Sequence, residues 1–298
     1  MNHPEPSLSQ SMAAAYQTLA RLAEKIARND GKTATAVSSL SVYRHSTPVY
    51  SLPCLYPQGL VLALQGSKTV CCGQDSLTYR VGECLFAGAD LSALSYVPEC
   101  CPTQPYLGLV IELDWHLLAR AAAELPDGGA SGHGGIPLAI VPADEKLLAA
   151  VARLLELTGE PDLLPHLAPL IEAEIAYRLL SGASRAHLRR MLTARSQQIS
   201  RVAAWLKQHY REKTSLSDLA AMAHMSESSF RQHFRRLIGT SPMQYQKQLR
   251  LQQARQLLLS EHITAAQAAA AVGYESPSQF SREYRRFFGL PPAADTGR

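Results

Sequence analysis

A motif that recurs at a fixed interval leaves the last third of this 298-residue chain little freedom in how it folds. Ser226-Glu227-Ser228-Ser229-Phe230 runs on through Phe234, Arg235 and Arg236 to Gly239 and Pro242. Ser276-Pro277-Ser278-Gln279-Phe280 runs on through Tyr284, Arg285 and Arg286 to Gly289 and Pro292. Each matched pair is 50 positions apart, as in a duplicated structural unit.

Each copy carries the parts of a helical DNA reader: a supporting helix, a tight turn and a second helix able to enter the roughly 12 Å major groove. Ser215 and Asp218 form a capping-box-like pair opening a helix over Leu216–Ala223, and Thr264 and Gln267 do the same for Ala265–Ala271. Gly273 supplies a turn. Ser226, with Glu227 in the first turn, and Ser276, with Pro277 at the first helical position, cap the second helices. Phe230 and Phe234, like Phe280 and Tyr284, are spaced i, i+4, so each pair shares one face and packs inward. That leaves Ser228, Ser229, Arg231, Gln232 and Arg235 facing outward on the first helix, and Ser278, Gln279, Ser281, Arg282 and Arg285 on the second. Arg suits guanine O6/N7 and Gln suits adenine N6/N7, whereas Arg236, Arg286 and the capped helix starts suit phosphates. Between the units, Ser241-Pro242 opens a long helix through Leu259, a rigid connector. Reading helices held about 34 Å apart would meet two successive major-groove segments.

Charge separates the chain in the same way. From Arg190 onward 16 Lys and Arg face 7 Asp and Glu, while residues 1–189 hold 13 against 18. The net +4 therefore conceals a basic module for a polyanion and an acidic module with another task. Two domains are expected, 1–185 and 186–298, in an α+β chain. No signal-peptide pattern and no run of roughly 20 apolar residues is found, so a cytoplasmic protein without a membrane partner is expected.

Residues 11–29 pattern as an amphipathic helix through Leu19, Leu22 and Ile26, stopped by Asn29-Asp30-Gly31. From about Gly31 to Leu113, short apolar or alternating runs (36–43, 59–64, 68–72, 76–79, 83–86, 107–113) are separated by turn residues. They predict a small β-barrel or a double-sheet roll. Helices are predicted over 114–124, 144–158 and 165–180, with a Gly-rich loop at 127–135 and a hinge at Ser181–Ser184. The stripe of Leu147, Leu148, Leu154, Leu155, Ile171, Ile175 and Leu179 fits either an intradomain core or a homodimer seam.

Leu249-Arg250-Leu251, Ala254-Arg255, Leu257-Leu258, Val272-Gly273-Tyr274-Glu275-Ser276, Phe280-Ser281-Arg282, Tyr284-Arg285-Arg286 and Phe288-Gly289-Leu290-Pro291-Pro292 resemble the DNA-binding domain of the AraC/XylS transcription regulators. The likeness runs from about Ile199 to Pro292. It implies a bipartite reader of operator DNA, more often an activator than a repressor, whose first helix dominates base contacts. Carried over, those contacts fall on Ser228, Arg231 and Gln232, and on Ser278, Gln279, Ser281 and Arg282. Two departures are Ala268-Ala269-Ala270, where the family has a bulky aliphatic, and the absence of a Tyr-Arg pair after the last Pro. They imply a second unit that is looser or reads DNA less strongly. Residues 48–113, with Gln65-Gly66-Ser67-Lys68 and Pro105-Tyr106-Leu107, resemble the cupin-type N-terminal domain of one AraC subgroup. That likeness implies a domain that takes a small-molecule effector and a homodimer, with RNA polymerase a candidate partner.

Two rival functions are a cupin-type metalloenzyme and a non-specific nucleic-acid binder. The first needs clustered His ligands, and His3, His45, His116, His133 and His166 are scattered, so no metal, cofactor or catalytic residue is assigned. The second predicts strong salt dependence without sequence preference. Six cysteines, with no C-x-x-C, read as reduced thiols. Cys71, Cys72, Cys100 and Cys101 are candidate sensors of oxidants or electrophiles, weighed against a plain packing role.

Overall fold

The computed structural model describes residues 8–72, 75–125, 137–261 and 263–295. The Gly-rich loop expected at 127–135, with His133, and also His3, lie outside the described residues. The chain divides into two compact units, Met1–Ser51, Pro57–Ala89 and Ser95–Ala194 in one, and Leu52–Tyr56, Asp90–Leu94 and Arg195–Arg298 in the other.

The chain opens on α1 (Gln10–Ile26), where the Ser9 hydroxyl accepts from the Met12 N–H and Tyr16, Leu19 and Ala23 are buried. Of the expected stripe Leu19 is fully buried, and Leu22 and Ile26 pack half-buried against the same core. Ten strands follow: β1 (Gly31–Ala34), β2 (Leu40–His45), β3 (Val49–Tyr56), β4 (Gly59–Gln65), β5 (Ser67–Cys72), β6 (Asp75–Arg80), β7 (Glu83–Ala87), β8 (Leu91–Val97), β9 (Tyr106–Glu112) and β10 (Leu138–Pro142). They form a six-stranded sheet, β1-β2-β9-β4-β7-β10, and a four-stranded sheet, β3-β8-β5-β6. The expected barrel is therefore not closed. Of the two forms the sequence allowed, the chain takes the double-sheet one, because β1 and β10 end one sheet and β3 and β6 end the other.

Four strands escaped the sequence pattern. In β8 the residues at Leu91, Ala93, Ser95 and Val97 are buried in strict alternation, but the inward Ser95 and the exposed Leu94 erase the hydropathy signal. Pro53 breaks the pattern of β3, and β1 and β10 are short edge strands.

One face of the six-stranded sheet, with Leu40, Val42, Leu60, Leu62, Leu107, Leu109 and Ile111, packs on the helices. These are α1, α2 (Trp115–Glu124), α3 (Glu145–Glu156) and α4 (Leu164–Ser181). Leu147, Leu148, Leu154, Leu155, Ile175 and Leu179 are at most 5% exposed in this cluster, so the leucine stripe is core and not a seam. The exposed apolar side chains near the start of α4 are instead Leu163, Leu167 and Leu170. The expected hinge leads into another helix, α5 (Arg185–Met191), which buries Leu188 and Met191.

Helices make up the rest: α6 (Ala194–Gln208), α7 (Leu216–Met222), α8 (Glu227–Ile238), α9 (Pro242–Ser260), α10 (Ala265–Ala271), α11 (Pro277–Phe288) and α12 (Pro292–Asp295). Both supporting helices open on full capping boxes, Ser215 with Asp218 and Thr264 with Gln267. Ser226, Ser241 and Ser276 cap α8, α9 and α11, each accepting from the N–H three residues on. Gly239 (φ 86°) and Gly289 (φ 83°) end the two reading helices in the left-handed conformation glycine adopts without steric cost.

Candidate nucleic-acid interface

The two units differ by one residue in the turn. The capping boxes are 49 positions apart, Ser215 to Thr264, whereas the caps of α8 and α11 are 50 apart, Ser226 to Ser276. Both turns share a hydrogen-bond pattern: His224 N–H to the Ala221 carbonyl and Met225 N–H to Ala220, Gly273 N–H to Ala270 and Tyr274 N–H to Ala269. His224 (φ 54°) therefore stands where the second unit has Gly273 (φ 86°), and Glu275 is the extra residue. The constant interval of 50 between the reading helices conceals this one-residue difference in the turns.

The inward pairs behave as their spacing requires. Phe230, Phe234, Phe280 and Tyr284 are all 0% exposed. Phe230 and Phe234 have ring centroids 5.4 Å apart, and Tyr245 of α9 meets Phe234 edge-on at 5.7 Å. In the second unit Phe280, Tyr284 and Phe288 form a run of rings at 5.5 and 4.6 Å, seated on Ala268 and Ala269. The small alanines thus bring α10 close to a wholly aromatic face. Burying these rings turns the opposite faces outward. Ser228, Arg231, Gln232, Arg235 and Arg236 of α8 are exposed, as are Ser278, Gln279, Arg282, Arg285 and Arg286 of α11. Ser229 and Ser281, expected among the outward residues, are only half-exposed.

Several polar residues that hold these faces in place carry no local sequence signal. Glu283 on α11 accepts from Lys247 Nζ of α9 (3.0 Å), Tyr274 OH (2.7 Å) and Gln279 Nε2 (3.2 Å). Burial pushes its carboxyl pKa up, but these three hydrogen bonds outweigh that and hold it below the usual carboxylate range. Gln279, though exposed, thus donates its Nε2 along its own helix. Asp295 of α12 takes a two-pronged bond from Arg255 (2.8 and 3.0 Å) and another from Tyr284 OH (2.6 Å), while the Arg255 guanidinium lies 4.8 Å from the Phe288 ring centre.

The two units meet at one joint. Arg250, in the middle of α9, donates to the carbonyls of Tyr210 (2.6 Å), Arg211 (3.1 Å), Glu212 (3.0 Å) and Gly273 (3.3 Å), and Gln246 Nε2 donates to Tyr210 and Glu212. These carbonyls lie just beyond α6 and in the second turn. The Arg250 guanidinium fork, with Gln246 beside it, so fastens the connector, the first unit and the second unit.

Elsewhere, Cys72 is buried, Cys71 and Cys100 are half-buried and Cys101 is exposed, all as free thiols, and Cys71 and Cys72 face opposite ways as strand neighbours must. The Cys101 pKa is lowered by hydrogen bonds from the Thr103 hydroxyl and from the Gln104 and Thr103 backbone N–H groups. The Cys100 pKa is raised by burial. Among the described residues no three His, Cys, Asp or Glu side chains converge as metal ligands, and no helix is long and apolar enough to cross a membrane.

Residues 36–187, just over half of the chain, match the profile of the AraC-type transcriptional regulator N-terminus, and residues 219–296 match a helix-turn-helix domain. The probable transcriptional regulator LumQ of Photobacterium leiognathi is 33% identical over 88 residues, 30% of this chain and 36% of LumQ. The RCS-specific transcriptional activator RclR of Escherichia coli K12 is 41% identical over 78 residues, 26% of this chain and 28% of RclR. The chain thus spans only 28–36% of the length of these two relatives. Among solved structures, ToxT from Vibrio cholerae O395, bound to (E)-4-(8-methylnaphthalen-1-yl)but-3-enoic acid, superposes with a TM-score of 0.62 at 12% identity. That alignment covers 87% of this chain and 97% of ToxT.

Proposed function

Since the chain belongs to the AraC-type transcriptional regulators, with an AraC-type N-terminal domain and a helix-turn-helix domain, we propose that it controls transcription by binding specific duplex DNA through residues 186–298. The observation that carries this reading is the pair of capped basic helices whose aromatic faces are fully buried, leaving matched rows of Ser, Gln and Arg exposed. Arg231, Gln232 and Ser228 read base edges on the first helix, assisted by Ser229 and Arg235. Ser278, Gln279, Ser281, Arg282 and Arg285 do so on the second, and Arg236 and Arg286 hold phosphates. The Arg250 joint keeps the two helices in fixed register, which suits two major-groove segments one turn apart.

Residues 1–185 receive a signal and form a homodimer. The exposed Leu163, Leu167 and Leu170 of α4 support the dimer. ToxT, seen with an organic acid, supports a small-molecule signal. The protein acts as an activator in the cytoplasm and touches RNA polymerase when bound.

Selection of genomic fragments by the full chain, followed by titration of the recovered sequence and a scrambled one at 50 and 200 mM salt, tests the reading. A common motif bound at least a hundredfold more tightly than its scramble is expected. Equal affinity for both, falling steeply with salt, would mean phosphate binding alone.

A further inference from the structure

Gln279 stands in the first turn of α11, where its backbone N–H donates to the Ser276 cap, and its side chain is exposed. The first residues of a reading helix are the ones that come nearest base edges in the major groove. A glutamine there ordinarily offers two groups side by side, an amide oxygen that accepts and an amide nitrogen that donates, and together they match adenine N6 and N7. In Gln279 the two ends are not equivalent. Its Nε2 donates to Glu283 Oε1 (3.2 Å), one helical turn further on.

The charge on Glu283 fixes which end of the amide faces it. Burial alone would raise the Glu283 pKa, but the Tyr274 hydroxyl (2.7 Å), the Lys247 ammonium (3.0 Å) and Gln279 hold it below the usual carboxylate range. The group is therefore ionised at neutral pH and can only accept. The amide must turn its NH2 towards Glu283 and its oxygen away, since the reverse would set two acceptors against each other. Glu283 does not depend on Gln279 for its place. Lys247 belongs to the connector α9, and the Tyr274 ring packs edge-on against the buried Phe280 at 5.3 Å. The orientation thus exists before DNA arrives.

We propose that Gln279 reads a base amino group through its amide oxygen alone, with Glu283 as the positioning residue, so that its operator position takes adenine or cytosine and rejects guanine or thymine. This rests on the reading of α11 as a DNA-reading helix. In the major groove only adenine N6 and cytosine N4 present donors, whereas guanine O6 and N7 and thymine O4 are acceptors. A purine N7 bonded to the same amide nitrogen would lie within about 6 Å, two hydrogen-bond lengths, of the Glu283 carboxylate, where its lone pair meets negative charge that Lys247 offsets only in part. The first helix differs. Gln232 is exposed on α8, and the residues one turn away from it are Ser228, Ser229, Arg235 and Arg236, none of them a carboxylate. Its amide has no such bias and suits adenine with both ends. The two helices so use one residue type for two different choices.

Selection of a randomised duplex library by the full chain, followed by sequencing, tests this with Gln279→Ala, Glu283→Ala and Glu283→Gln. Gln279→Ala should flatten one motif position, and there the unaltered chain should recover adenine and cytosine each at least threefold above guanine and thymine. Glu283→Ala releases the amide nitrogen for N7, so that position should shift to adenine, at least threefold over cytosine, with the rest of the motif kept. Should Glu283→Ala fail to fold, the isosteric and uncharged Glu283→Gln takes its place and should shift the position in the same direction. An adenine-only position in the unaltered chain, no position altered by Gln279→Ala, or Glu283 variants that weaken every sequence alike with the preference unchanged would each overturn the assignment. Any of these, with a motif still recovered, leaves specific DNA binding standing. Recovery of no motif by the unaltered chain removes that reading and this one together.

Discussion

Replacing Gly273 with alanine probes the joint between the two reading units most directly. Its φ of 86° costs an L-residue about 1–2 kcal/mol. A Cβ there would also stand 2.7 Å from the Arg211 carbonyl oxygen and 3.2 Å from the Arg211 Cα. Backbone must yield, yet Arg250 grips the Tyr210, Arg211 and Glu212 carbonyls, so the segment cannot retreat without breaking charge-assisted hydrogen bonds. Overpacking of this kind costs about 1–3 kcal/mol, giving a total near 3 kcal/mol. With a urea slope of about 2 kcal/mol/M, the midpoint falls by about 1.5 M. Trp205 reports the transition, as its indole stacks on His209 at 4.3 Å beside the affected segment, and Trp115→Phe removes the other tryptophan signal. His224→Gly, the counterpart in the first turn, should gain roughly 0.5–1 kcal/mol after the added chain entropy of glycine is subtracted. A Gly273→Ala loss below about 1 kcal/mol would refute the claim that the Tyr210–Glu212 segment is rigidly held.

Arg231→Ala should weaken operator binding by about 1–3 kcal/mol and relax preference at one base position, whereas Arg236→Ala should weaken operator and random DNA alike; gel-shift titration separates the two, and equal losses on both DNAs from Arg231→Ala would remove it from base readout. Because the Glu283 carboxyl pKa lies below its unfolded value of about 4.3, its contribution is present above that pH and is lost as pH falls through the folded value. Glu283→Gln should therefore flatten the stability profile below about pH 4.3, by about 1 kcal/mol at most given partial exposure, and an unchanged acid slope on thermal melting would contradict this. Replacing Cys71, Cys72, Cys100 and Cys101 by Ser should leave DNA binding intact and, if these thiols sense oxidants, abolish the effect of added peroxide on transcription; a retained peroxide response would end that role.

What could be read from the sequence was whatever the chain encodes locally. The capping boxes and serine caps were legible because a helix start needs a side-chain acceptor within three residues of the N–H it satisfies, and Ser215/Asp218 and Thr264/Gln267 declare it. The buried Phe230, Phe234, Phe280 and Tyr284 followed from spacing, and from them the outward rows of α8 and α11. What escaped was encoded by partners distant in the chain. Arg250 binds main-chain carbonyls about 40 positions away, which have no side-chain signature, and looked like one more basic residue on α9. Glu283 is likewise defined by Lys247, 36 positions away, and by Tyr274, neither of which marks it in the local sequence. β8 was hidden by an inward serine, and the left-handed turn of the first unit by a histidine where glycine would have announced it.

The guanidinium of Arg250 has a consequence for how such a tandem can diverge. Duplicated modules ordinarily drift apart freely, but here neither half owns the contacts that define its own end. A lineage that lengthened one turn or lost this fork would disturb both copies in the same stroke, so changes in sequence preference must accumulate on the outer faces while the hinge-pin between them stays as it is.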